Sequence, residues 1–132
     1  MALHATGTFD VKMSPLPSYN TDDPLLARMS LDKQIHGDLE ATSKGEMLSA
    51  GTSVKNSAGY VAIERVTGTL NGRVGSFVLQ HSAKMNRGDA SMDINVVPDS
   101  GTGDLGGISG SFTIIIEPGK HSYEFDYMLP GD

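Results

Sequence analysis

The chain contains no cysteine and no tryptophan. Without cysteine there are no disulfides, no thiolate nucleophiles and no cysteine-held zinc or iron–sulfur centres. That fits a reducing compartment, and the expected location is cytoplasmic. Basic clusters are also missing, and the net charge is −6. Nucleic-acid backbones and anionic membrane surfaces need Lys- and Arg-lined surface, so neither is expected as a partner. No run approaches the ~20 apolar residues of a membrane-spanning helix. Residues 1–8 have neither the basic stretch nor the apolar core of a secretory signal. Helical periodicity is hard to find anywhere in the chain.

What is present describes a globular protein. A length of 132 residues predicts one domain over 1–132, with a core large enough to need no staples. Hydrophobic residues make up 38% and charged residues 20%, within the range of soluble domains. Sixteen glycines imply many turns and bulges.

Period-two alternation recurs along the chain. Residues 5–13 alternate cleanly. Pro15, Pro17 and Pro24, with Asn20-Thr21-Asp22-Asp23, predict a loop from Ser14 to about Ala27. Alternation resumes from Arg28 to Ala41, with Met29, Leu31, Ile35 and Leu39 on one side. Lys44-Gly45 reads as a turn and residues 46–54 as a short partner strand. Two β-rich runs, residues 60–70 and 73–85, flank Asn71-Gly72, the residue pair that a type I′ hairpin turn prefers. A two-residue loop pairs Leu70 with Arg73, Val66 with Phe77, Glu64 with Leu79 and Ala62 with His81. One face then carries Tyr60, Ala62, Glu64, Val66, Phe77, Leu79 and His81. A turn at residues 86–89 places Met92, Ile94 and Val96 on that same face, which is therefore taken as the interior. In the last hairpin Phe112, Ile114, Ile116, His121, Tyr123, Phe125 and Tyr127 point the same way. The prediction is an all-β protein of about eight antiparallel strands with little or no helix. Eight strands can close into a barrel, and a two-sheet sandwich is the alternative.

The glycine-rich stretch Gly101-Thr102-Gly103-Asp104-Leu105-Gly106-Gly107-Ile108-Ser109-Gly110 resembles the turn of allene oxide cyclases and plant dirigent proteins. Together with residues 37–45, 59–68 and 75–82, it resembles a bacterial family of uncharacterised proteins assigned the allene-oxide-cyclase-like barrel. The resemblance implies an eight-stranded barrel and names no substrate. Plant relatives of the barrel are trimers, which together with outward-facing Val61, Ile63, Val74 and Val78 suggests a homo-oligomer.

Several motifs carry possible chemistry. The string from Gly101 to Gly106 matches G-x-G-x-x-G, but a dinucleotide site needs a helix next, and a strand follows here. It reads as a tight turn. His36, Asp38 and Glu40 alternate on one strand face, either as a solvated face or as metal ligands. His4, His81 and His121 show no ligand spacing, and neither metal nor cofactor is expected. Glu64 and His81 stand diagonal on the inward face, within reach of each other. A buried carboxylate needs a partner, so they form either a structural pair or a functional one. Tyr60, His121, Tyr123 and Tyr127 are further candidates to line the interior. Lys33 falls among apolar positions, and it snorkels to the barrel mouth, marks an anion, or reflects a bulge that shifts the register. No catalytic residue is assigned. The leading expectation is a binding module for a small, mostly apolar ligand. A cofactor-free isomerase or cyclase using Glu64 and His81 as acid and base is the alternative, and a filled structural barrel the third.

Overall fold

A computed structural model describes residues 2–131. All of its regular structure is strand: β1 Leu3–Leu16, β2 Leu26–Gly37, β3 Leu39–Gly51, β4 Ala58–Leu70, β5 Arg73–Asn86, β6 Asp89–Val96, β7 Thr102–Gly103, β8 Ser109–Glu117 and β9 Lys120–Met128. Every strand but β7 joins one antiparallel ring. It runs β1 to β6 in order, then β8 and β9, and closes where β9 pairs with β1. This is a closed eight-stranded antiparallel barrel with one extra strand, not a sandwich. The short β7 pairs with β5 through Gly75 and Ser76, beyond the reach of the β5–β6 ladder.

The central hairpin has the expected register, with Val66 opposite Phe77 and Ala62 opposite His81. Asn71 and Gly72 take φ of 46° and 86°, as a type I′ turn requires. The next turn is tighter than expected. Arg87 and Gly88 form its centre and Asn86 pairs with Asp89, leaving Met85 opposite Ala90 as anticipated.

Two boundaries differ from the sequence reading. The turn after β2 lies at Gly37 and Asp38, not at Lys44-Gly45, and β3 runs unbroken through both of those residues. Gly37 has a φ of 109°, which a side chain would oppose. Gly45 is needed for contact instead. A Cβ there would fall 2.0 Å from the Ile63 carbonyl oxygen and 2.6 Å from Glu64 Cα. The proline loop is also shorter than expected, because β1 continues through Pro15, which pairs with Met29. β1 pairs with β9 only over Leu3–Thr8, so the missing N–H of Pro15 faces no partner strand.

One end of the barrel is plugged. The glycine-rich turn buries Leu105 and Ile108, and Leu129 closes beside them. Gly103 and Gly107 have positive φ and β8 follows, so the tight-turn reading of this string holds. Above the plug the interior is packed with aromatics. Phe77 stacks on Phe125 at 5.5 Å, Phe112 on Tyr123 at 5.1 Å and Phe125 on Tyr127 at 5.2 Å. Offset and tilted ring pairs of this kind add to the burial energy of the rings themselves. The other end of the barrel is open.

Candidate functional site at the open barrel mouth

Four consecutive strands place one polar cluster between the aromatic core and the open mouth. β2 supplies Lys33, β3 Ser43, β4 Glu64 and β5 His81, and all four are buried. Lys33 lies opposite Ser43, while Glu64 lies opposite Gly45 and diagonal to both Ser43 and His81. The glycine at 45 lets β3 and β4 approach closely behind the Glu64 side chain. Glu64 is the hub of the cluster. Its Oε2 accepts from Lys33 Nζ at 2.8 Å and from His81 Nε2 at 2.5 Å, and its Oε1 accepts from Ser43 Oγ at 2.5 Å. Burial alone would raise the Glu64 pKa. The His81 hydrogen bond and the Lys33 charge outweigh it and hold the carboxyl at about 2. Glu64 is therefore an anion at neutral pH, and the hydrogen between it and His81 is donated by the imidazole.

Lys33 does not snorkel to solvent as the sequence allowed. Its ammonium stays inside on Glu64 and lies 5.1 Å from the Phe9 ring centroid. The carboxylate two strands away outweighs hydration at the mouth.

Lys33 and His81 face a cavity of about 160 Å³ whose walls include Phe9, Met13, Met47, Ala62, Met92 and His121. A wider space of about 580 Å³ continues outward and shares Met47, Tyr60, Met92 and Ile114 with it. Together they form a funnel with an apolar rim and a polar floor. Met13, Met85, Met92 and Ile116 are exposed around that rim. Tyr60 belongs to both spaces, and its hydroxyl lies 3.9 Å from Met92 Sδ. Burial, with Glu64 nearby, raises the Tyr60 pKa.

The geometry brings together Glu64, His81, Tyr60 and His121 of the residues singled out by sequence. Tyr123 and Tyr127 lie elsewhere, in the aromatic core. The Tyr123 hydroxyl takes the Leu39 N–H and donates to the His36 carbonyl, while Tyr127 Oη accepts from Asn71 Nδ2. Both tie strands together near the plugged end. Ser43 and the rim methionines are additions that the sequence reading did not make.

His36 and Glu40 lie on the barrel exterior, 3.4 Å apart, and Asp38 instead accepts the Thr6 N–H. Among the described residues no group of three or more His, Asp or Glu is placed to hold a metal ion. No helix among them is long and apolar enough to cross a membrane.

The funnel can do two things chemically. It can take up an apolar body and hold a polar end against Lys33 and His81. It can also move a proton, because Nε2 of His81 is bound to Glu64 while the ring borders the cavity.

A family profile described as "Protein of unknown function (DUF3224)" matches residues 5–127. The chain belongs to the DUF3224 family. A crystal structure of a DUF3224 protein of unknown function from Shewanella oneidensis MR-1 is similar throughout. It has 51% sequence identity and a TM-score of 0.94, and the match covers 100% of both chains. A search of curated proteins finds no match to this DUF3224 chain.

Proposed function

We propose that this DUF3224 barrel binds a small, mostly apolar ligand in its open mouth, and we read the barrel as allene-oxide-cyclase-like. The observation that carries the binding reading is the funnel, with its apolar rim above a floor of Lys33 and His81 that Glu64 holds from behind. Ligand sites are typically concave and mostly apolar with a few convergent polar groups. Four methionines in the walls suit such a role, since thioether side chains repack around different shapes. A neutral fluorescent probe, N-phenylnaphthylamine, tests the reading. Its emission should rise on binding to the wild type. Ala62→Phe, which fills the inner cavity, should abolish the rise while far-ultraviolet circular dichroism stays unchanged. A folded wild-type protein that leaves the probe dark, and shows no co-purified molecule in native mass spectrometry, would defeat it.

A second reading is a cofactor-free isomerase or cyclase in the same funnel. The 2.5 Å contact between Glu64 and His81 favours it. His81 would be the acid and base at the ligand, and Glu64, lying behind it, the group that orients the ring and balances its charge. Turnover of a bound ligand, lost in His81→Gln with binding kept, separates this reading from simple binding.

A further inference from the structure

We infer that the ligand is a small aryl carboxylate, with its acid group on Lys33 and its ring among the methionines. This rests on the ligand-binding reading above and specifies the ligand's chemistry.

The head group follows from the hydrogen-bonding capacity that the floor leaves open. Both oxygens of Glu64 are taken, by Lys33, His81 and Ser43. This buried carboxylate is thus turned away from a ligand and has no need of a ligand donor. The Lys33 ammonium is less fully used. Lys33 gives Glu64 one of its three ammonium hydrogens. His81 already gives Glu64 its Nε2 hydrogen, and Nδ1 of a neutral imidazole accepts rather than donates, so the ring adds no donor for an anion. A ligand group in the inner cavity meets the Lys33 ammonium.

The charge distribution agrees. The chain carries 16 acidic residues against 10 basic ones. Yet among the described residues no Asp or Glu lines either part of the funnel, whereas Lys33 lies at its floor and Lys84 at its rim. On a protein of net charge −6, a lining with lysines and no carboxylate favours an anion over a cation. A carboxylate on Lys33 makes a charge-assisted hydrogen bond in a low-dielectric setting, where such bonds are strongest.

The body of the ligand follows from the walls. Met13, Met47 and Met92 border the inner cavity with Phe9 and His121. Thioethers make favourable contacts with aromatic ring edges, and Phe9 and His121, paired at 5.3 Å with their rings tilted by 36°, add aromatic surface to the same wall. A cavity of about 160 Å³ opening into a wider one admits a ring on a short acid arm.

The test uses three compounds with one body and different heads: naphthylacetate, naphthylethanol and naphthylethylamine. Each competes with N-phenylnaphthylamine for wild-type protein. The acid should displace the probe at least about tenfold more tightly than the alcohol, the effect of one charge-assisted hydrogen bond. The amine should be the weakest. Lys33→Met combined with Glu64→Gln removes the ion pair without stranding a charge. In that variant the acid should fall to the level of the alcohol while the alcohol holds within about threefold. Equal binding of acid and alcohol to the wild type, or tightest binding of the amine, would overturn the inference and leave the binding reading standing. Failure of the probe and all three compounds to bind would overturn both.

Discussion

Replacing Glu64 with Gln keeps the shape of the side chain and removes its charge. Lys33 is buried against Glu64, so in this variant its ammonium loses its counter-ion without gaining water. Removing one partner of a buried ion pair costs about 3–5 kcal/mol. The titration of Glu64 supplies a separate figure. Burial pushes its pKa up, but His81 and Lys33 bring it to about 2, against 4.5 for the free side chain. A gap of that size corresponds to about 3 kcal/mol. The folded value lies below the unfolded one, so this stabilisation is complete above pH 4.5 and lost as the pH falls toward 2. Urea unfolding at neutral pH should show Glu64→Gln less stable than the wild type by about 3 kcal/mol. The difference should shrink steadily between about pH 4.5 and pH 2, because protonated Glu and Gln are then nearly equivalent. Comparing the two proteins cancels other acidic groups, including Glu40, whose pKa is lowered chiefly by the Gly37 N–H. A difference under about 1 kcal/mol at neutral pH, or one that persists unchanged in acid, would refute the hub role of Glu64.

Phe77 is fully buried and stacked on Phe125, so Phe77→Ala should cost about 3–5 kcal/mol in chemical denaturation. Gly45→Val should leave the protein insoluble or unfolded by circular dichroism, since the atoms that its Cβ meets are backbone of Ile63 and Glu64. We also propose that the exposed outer face bearing Val61, Ile63 and Val74 joins copies of the barrel into a homo-oligomer. Light scattering at micromolar concentration should give a mass above 14 kDa, and Ile63→Lys should bring it down to that of the monomer.

Much of the barrel was legible because a two-residue turn constrains everything that flanks it. Asn71-Gly72 alone set the pairing of thirteen positions on β4 with β5, and with it the inward direction of Glu64 and His81. Alternation was less informative at β2 and β3. Their register pairs Ile35 with Ala41, so odd-numbered residues face inward on both strands and the pattern runs through the turn without a break. Gly37 and Gly45 then look alike as letters, although one bends the chain and the other lets two strands touch. That ambiguity hid Ser43, which falls beside the misplaced turn. Lys33 had the correct parity with Leu31 and Ile35, but parity does not say what waits inside. Its partner lies two strands away, across β3, and alternation along a single strand does not encode a neighbour at that separation. Tyr123 and Tyr127 face inward as expected. Their depth along the barrel axis separates them from the mouth, and strand periodicity carries no information about depth.

The seam between β1 and β9 has a consequence for how the chain folds. Every other neighbour in the ring is a hairpin partner except β6 and β8, which the glycine-rich segment joins. At the seam His4 meets Asp126, 122 positions along the chain. Loop-closure entropy grows by about 0.6 kcal/mol per doubling of loop length, so this junction costs roughly 3 kcal/mol more to form than a short hairpin. Six hairpins can zip locally before that cost must be met, and the curled sheet then has two open edges to bring together. The meeting of the first strand with the last should therefore come late, after the folding transition state. Substitutions at the β1–β9 ladder should speed unfolding with little effect on the folding rate, whereas those in the Asn71-Gly72 hairpin should slow folding.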